Sequence, residues 1–340
     1  MKEFEVLLTQ VAWGVIAVLV VLVAGAGIAL GRTWSQRGPL GRATRGQRVL
    51  SVAALLSRVA LVAGLLGYLF VLQRGSSFMP PALKLAIAGL LMSWLLLQAA
   101  AWLRPRRRRG LWADVWAGLG ALVPAVVGGG LLWLYAASTQ SPALESSVML
   151  DLPFDGEWVA TGAGASARTN HHHRIASQRH AVDVAKACPD GRLFRGDGRT
   201  HAESCTFGAL VLSPAAGVVV HVVDGLADGD SRRELPGNHV IIRVTADRFV
   251  ALAHLQQGSV AVAEGDTVVV GQPIGRAGNS GNSDFPHLHV HVQDGPVYDL
   301  RGSRSIPFRF RQAEVKRFLW WRLTDDVALL ANDRIRPLAR

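Results

Sequence analysis

Apolar residues crowd the first 140 positions in four long runs, residues 6–30, 49–72, 83–103 and 111–136, and then give way to short alternating runs broken by Gly, Asp and Pro. Each long run reaches or exceeds the roughly 20 residues a helix needs to cross a hydrocarbon core, so the pattern predicts four transmembrane helices. Their connections differ in charge. The first holds Arg32, Arg37, Arg42, Arg45 and Arg48 and the third holds Arg104 and Arg106 to Arg109, whereas the second holds only Arg74 and Lys84. By the positive-inside rule the first and third connections are cytoplasmic, which puts the amino terminus and everything after Ala136 outside. The first run lacks the positive start of a cleaved signal peptide, because Glu3 and Glu5 offset Lys2. Arg58, inside the second run, is close enough to its cytoplasmic end to snorkel and reads as an end charge. Gly128 to Gly130 in the fourth run allow close helix packing.

After the polar tether Ala137 to Pro142 the spacing of apolar residues shortens to strand length. Residues 218–223, 239–244, 249–255, 267–270 and 288–292 are β-branched or alternating, with Gly217, Gly237, Gly265 and Gly281 between them as turn makers. A helical spacing returns only over residues 312–332, which contain Trp320 and Trp321. The expected architecture is a multi-pass α-helical membrane region followed by a mainly antiparallel β domain with a carboxy-terminal helix. Its divisions are a four-helix anchor over residues 1–136, a linker over 137–150, the β domain over 151–310 and a helical extension over 311–340.

Composition sharpens this picture and removes one class of function. Of the 340 residues 50% are hydrophobic and 18% charged, too apolar for an ordinary soluble chain. The net charge of +11 comes wholly from the first 140 residues, with 14 Lys/Arg against 3 Asp/Glu; residues 141–340 balance at 22 each. A basic face for nucleic acid is therefore not expected, and the excess positive charge belongs to the flanks of the apolar runs. The only cysteines, Cys188 and Cys205, both fall in the β region. Outside the cytoplasm they are expected to form a disulfide that closes a loop poor in apolar residues, stabilising it by about 3 kcal/mol. Two cysteines with no C-x-x-C pair make a Cys/His zinc cluster the weaker reading.

The chemistry concentrates in Pro286-His287-Leu288-His289. Residues two apart on a strand face the same way, so His287 and His289 address one site, where one imidazole can hold a metal and the other can move protons. A catalytic zinc takes three protein ligands and keeps one position open. Asp183 is the natural carboxylate, because its frame Ala181-Val182-Asp183-Val184 would bury it at a cost unless something positive lies beside it. An ion pair with Arg179 is the structural alternative.

These residues, together with Pro214-Ala215-Ala216-Gly217, Gly237-Asn238-His239, Ala253-His254-Leu255, Gly271-Gln272-Pro273-Ile274-Gly275 and Gly278-Asn279-Ser280-Gly281, resemble the lysostaphin-like zinc metalloendopeptidases that cut peptide cross-links in bacterial cell walls. The resemblance spans about residues 152–310. It implies that Asp183 and His289 ligate zinc, and that His254 and His287 flank the reacting water and the scissile carbonyl. The commonest pattern has a histidine four residues before the aspartate, where this chain has Arg179. His180 is nearby, but a separation of three on an extended strand puts it on the face opposite Asp183. Some relatives carry an upstream Asn-His-His stretch before a Gln-Arg-x-Ala-x-Asp segment. Asn170-His171-His172 and Gln178-Arg179-His180-Ala181-Val182-Asp183 are similar to that variant, which favours His172 as first ligand with His171 as second choice. His291 continues the same strand face but lies beyond the matched motif and is left outside the ligand set. His201, His221 and His239 read as surface or packing residues.

The implied cofactor is Zn2+, acting as a Lewis acid, with His254 and His287 in place of the missing glutamate of an H-E-x-x-H helix. The expected substrate is a peptidoglycan peptide or another peptide, and the expected location is the bacterial cytoplasmic membrane with the carboxy-terminal domain on its periplasmic or extracellular side. A lipid bilayer is then a partner, and a regulatory membrane partner is left open. The alternative function is a non-catalytic domain that regulates other wall hydrolases; it would be expected to lack the ligand set. Neither G-x-S-x-G nor a phosphate-cradling G-x-x-x-x-G-K-[ST] occurs.

Overall fold

The structure is a computed structural model that describes residues 45–68, 81–102, 111–139, 147–229, 235–317 and 321–338. The chain divides into two compact units, one dominated by helices between Val6 and Ala137 and one by strands from Ser138 onward.

In the first unit three helices are described: α1 (Arg45–Gly67), α2 (Pro81–Trp102) and α3 (Leu111–Ser138). The apolar run over residues 6–30 lies outside the described residues. Among the described residues no helix is long and apolar enough to cross a membrane, which corrects the expectation of transmembrane helices over residues 49–72, 83–103 and 111–136. Arg58 lies within α1, Lys84 in the first turn of α2, and Pro124 with Gly128 to Gly130 within α3. Gly128 does serve packing: a Cβ there would lie 2.6 Å from the Leu61 Cα of α1.

Among the described residues the second unit has fourteen strands: β1 (Val148–Leu150), β2 (Trp158–Gly162), β3 (Val182–Lys186), β4 (Leu210–Leu212), β5 (Gly217–Val223), β6 (Asn238–Thr245), β7 (Arg248–Leu255), β8 (Thr267–Val268), β9 (Pro273–Arg276), β10 (Leu288–Gln293), β11 (Ser305–Ile306), β12 (Phe308–Lys316), β13 (Trp321–Val327) and β14 (Arg334–Pro337). Twelve form one sheet in the order β1-β12-β14-β2-β3-β10-β7-β6-β5-β8, with β11 beside β10 and β13 beside β12; β4 and β9 pair separately. Pairing is antiparallel throughout except for β1 with β12.

The central strands are sorted by alternation. Val182 and Val184 of β3, Leu288, Val290 and Val292 of β10, Val250 and Leu252 of β7, and Val240 and Ile242 of β6 all join one buried apolar cluster with Trp158 and Ile274. Their odd-numbered or even-numbered neighbours must then face the other way. That second face carries Asp183, His287, His289, His291 and Gln293 alongside the small residues Ala251 and Ala253 of β7. One side of the sheet is thus the core and the other is the floor of the site.

Residues 312–332 do not form the expected helix. β12 and β13 pair as an antiparallel hairpin from Phe310↔Val327 to Lys316↔Trp321. The reason lies at Gln312, whose φ of 26° resets the alternation: Phe308 and Phe310 are buried before it, Ala313 and Val315 after it. A buried set at 308, 310, 313 and 315 breaks the two-residue period and counterfeits helical spacing. Thr324, Leu323 and Arg322 then cross-pair with Ala313, Glu314 and Val315 to complete the strand.

Candidate metal centre

Five side chains converge on the polar face where β3 and β10 meet. The register sets Asp183 opposite His289, and the carboxylate sits between imidazoles on both sides. His289 Nδ1 is 2.9 Å from Asp183 Oδ1 and His172 Nε2 is 2.9 Å from Asp183 Oδ2. His287 Nε2 lies 3.6 Å from Oδ1 and His171 Nε2 lies 3.5 Å from Oδ2. Asp183, His172, His254, His287 and His289 are all buried, whereas His171 is exposed. Arg179 is exposed and is not among the partners of Asp183.

Each residue is delivered by a local device. His171 and His172 open a single 3-10 turn, His171–Arg174, capped by Asn170. The Asn170 Oδ1 accepts the His172 backbone N–H at 3.0 Å, and its Nδ2 donates to the Ala181 carbonyl at 2.8 Å, two residues before Asp183. The Asn-His-His stretch is therefore tied to the start of β3. Gly162 of β2 leaves the room: a Cβ there would lie 3.0 Å from Asp183 Oδ2 and 3.3 Å from the His171 ring.

His254 reaches the site through a β-bulge. Asn238 pairs with Leu255 and His239 pairs with Ala253, so His254 is the extra residue. Its φ of 61° turns the side chain from the core to the polar face. Its Nδ1 donates to the Ser280 carbonyl at 2.8 Å, and its ring lies 4.7 Å from that of His287 and 5.8 Å from that of His289. His287, just before β10, donates from Nδ1 to the Phe285 carbonyl at 2.8 Å, with Ser283 Oγ 3.1 Å away. Carbonyls can only accept, so both neutral rings carry their proton on Nδ1 and leave Nε2 bare.

Electrostatics follow from this crowding. Burial alone would raise Asp183, but the imidazoles of His172 and His287 beside it, with a hydrogen bond from His172, hold its carboxyl well below the usual range. Burial, reinforced by His287, pushes His254 down to about 3. His289 is likewise driven well below the ordinary imidazole value by burial, which the Asp183 carboxylate beside it only partly opposes.

The donor set fits a zinc ion. Two ligand atoms on a tetrahedral zinc, each about 2.1 Å from it, are about 3.4 Å apart, and the nitrogen-to-carboxylate separations of 2.9 to 3.6 Å bracket that value. His171, His172 and Asp183 offer one atom each within 4.8 Å of one another. His287, its proton fixed on Nδ1, turns a bare Nε2 toward the Asp183 carboxylate, an arrangement that repels unless a cation lies between them.

The remaining histidines fall elsewhere. His180 lines a small apolar cavity with Val182, Phe308 and Leu330. His201, within the loop closed by the disulfide between Cys188 and Cys205, stacks on Phe207 and has its Nε2 3.0 Å from Asn279 Nδ2. His221 pairs with Glu264 at 3.1 Å, and His239, 3% exposed, stands between His221 and Tyr298. His291, set aside on sequence grounds, lies 2.9 Å from His289 Nε2. The signal for it was the unbroken two-residue spacing His287, His289, His291 and Gln293.

Residues 202–299 carry a match to Peptidase family M23 and form an M23 peptidase domain. The stretch includes His254, His287 and His289; His172 and Asp183 precede it. Among solved structures, the chain is similar to a zinc-containing peptidase from Vibrio cholerae, at 22% identity over 45% of this chain and 41% of that one, with a TM-score of 0.29. A putative M23 peptidase from Pseudomonas aeruginosa is similar at 23% identity over 49% and 54% of the two chains, with a TM-score of 0.27. The catalytic domain of lysostaphin from Staphylococcus simulans is similar at 21% over 37% and 73%, with a TM-score of 0.25. The chain thus spans about two fifths of the Vibrio peptidase and about half of the Pseudomonas one. No curated protein matches the chain.

Proposed function

We infer that the β unit is a zinc-dependent endopeptidase that hydrolyses peptide cross-links of bacterial peptidoglycan, with His172, Asp183 and His289 holding the metal and His254 and His287 serving the reaction. The observation that carries this reading is the convergence of three buried imidazoles, those of His172, His287 and His289, on one buried carboxylate with His254 packed beside them, in a chain with an M23 peptidase domain. When bound, zinc supplies a Lewis acid for the peptide carbonyl and a water of lowered pKa. The chain does the rest. His254, neutral at pH 7 because burial holds it near 3, offers the bare Nε2 that accepts the proton of the attacking water. His287, anchored through Nδ1, faces the same space with its bare Nε2 and relays that same proton to the departing amine as the C–N bond breaks. The Ser280 and Phe285 carbonyls orient the two rings before substrate arrives, so that little reorganisation accompanies the reaction. His172 is favoured over His171 as the first ligand because it is buried and closer to Asp183.

The Cys188–Cys205 disulfide supports a place of work outside the reducing cytoplasm, where cell-wall peptide would be met. The test is incubation of the full chain with cross-linked peptidoglycan fragments, scoring new amino termini. Cleavage abolished by a chelator and restored by zinc is expected. A folded, zinc-loaded protein that opens no peptide bond in these fragments or in a mixed peptide library would contradict the reading.

A further inference from the structure

The polar face of β10 continues past the metal centre. His291 and Gln293 are both fully buried at 0% exposure, in a strand whose opposite face is purely apolar. Buried polar groups are costly unless hydrogen-bonded, and aliphatic residues would fill these positions more cheaply. Their hydrogen bonds run in one direction only. Gln293 Nε2 lies within 2.8 Å of the Gly295 carbonyl and 2.6 Å of the Val297 carbonyl. Both are obligate acceptors, so the amide cannot be turned over and Oε1 must face His291. His291 Nε2, 2.9 Å from that oxygen, must therefore carry the proton. The neutral ring is left with a bare Nδ1, which lies 2.9 Å from His289 Nε2 and accepts its N–H. His289 then has its lone pair on Nδ1, the atom that faces Asp183 Oδ1. Tyr298, edge-on to His291 with ring centroids 5.3 Å apart, closes the far side of the relay.

We propose that His291 and Gln293 are positioning residues that lock His289 into the Nε2–H tautomer, so that its Nδ1 lone pair is presented to the metal before the metal arrives. This rests on the zinc reading of the site. A donor chain anchored on two backbone carbonyls fixes both the ring orientation and the proton of a ligand, the role that outer-shell partners of metal-bound imidazoles serve and whose loss typically weakens metal binding by roughly ten- to a hundred-fold.

The test is zinc binding to the full chain by competition with a chromogenic chelator, comparing wild type with His291→Phe and His291→Glu. Phenylalanine removes the acceptor, and glutamate restores one directly to His289 Nε2–H. The expected result is one tight zinc in wild type, binding weaker by roughly ten-fold or more in H291F, and recovery of most of that loss in H291E. If H291F, folded by circular dichroism, binds zinc as tightly as wild type, the relay is overturned while the zinc site stands. If H291E is as weak as H291F, the effect is packing and the relay is overturned. Absence of zinc binding in wild type overturns the underlying reading itself. Histidine-selective 15N spectra of the zinc-loaded wild type provide a readout that needs no variant: His289 should carry its proton on Nε2 and bind through Nδ1, and coordination through Nε2 would refute the proposal.

Discussion

Replacing Gly237 with alanine should disable His254 without touching it. Gly237 has a φ of 61° and packs on Ser280, where a Cβ would lie 2.6 Å from the side-chain Oγ and closer still to the backbone carbonyl. Ser280 is the hinge of the bulge. Its carbonyl accepts from His254 Nδ1 at 2.8 Å, its Oγ accepts the Asn238 N–H at 2.9 Å, and its hydroxyl donates to the Leu255 carbonyl at 2.7 Å. Forcing a left-handed conformation on alanine costs about 1 kcal/mol, and displacing Ser280 puts three hydrogen bonds at risk, each contributing about 1 kcal/mol. The sum is about 4 kcal/mol, or a fall in Tm of roughly 10 °C for a unit of this size. Gly258→Ala separates the two contributions, because Gly258 has a φ of 68° but open space where the Cβ would go; its cost should be about 1 kcal/mol. The assay is urea unfolding of both variants, with turnover and zinc content measured on the folded protein. Gly237→Ala should be the less stable by about 3 kcal/mol, and should lose turnover while retaining zinc. Equal stability of the two variants, with turnover intact in both, would refute the argument that Ser280 is wedged between Gly237 and His254.

His287→Ala should keep its zinc but lose turnover by roughly 100-fold or more; activity near wild type would remove His287 from the reaction. Reduction of the Cys188–Cys205 bridge should destabilise the β unit by about 3 kcal/mol, and thiol labelling of the native protein without reductant would contradict the pairing. Stability of the metal-free protein should fall with acidification. His254 and His291 are held to about 3 and about 4 by burial, below the 6.5 of the unfolded chain. The unfolded state therefore takes up protons first, and stability that is complete above pH 6.5 is lost as the pH drops toward 4, by about 2 kcal/mol per histidine at pH 5. A Tm that is flat between pH 7 and 5 would contradict those buried, neutral rings.

The site was legible in sequence where a single strand carried it. The alternation His287, Leu288, His289 places two imidazoles on one face, and the apolar frame around Asp183 marks a carboxylate that must be compensated. What the sequence hid depends on backbone departures from regular geometry. Nothing in Ala253-His254-Leu255 announces the bulge that turns His254 toward His287, since by simple alternation it would point into the core. Gly162 is one glycine among many until the His171 and Asp183 side chains are in place beside it. At Gln312 a positive φ shifts the phase of the buried residues, and a strand hairpin reads as a helix. The apolar runs of the first unit mislead differently: among the described residues no helix built from them is long and apolar enough to cross a membrane. His291 and Gln293 were visible as a pattern, but their meaning depends on the carbonyls of Gly295 and Val297, which fix the direction of every hydrogen bond back to His289.

The central claim is that one zinc ion is held by His172, Asp183 and His289, and the most direct measurement is elemental zinc content of the purified full chain. Wild type should carry about one zinc per chain, and His172→Ala, Asp183→Ala and His289→Ala should each lose it, while His171→Ala and His254→Ala keep it. A folded wild-type protein without stoichiometric zinc, or an Asp183→Ala variant that retains it, would contradict the account.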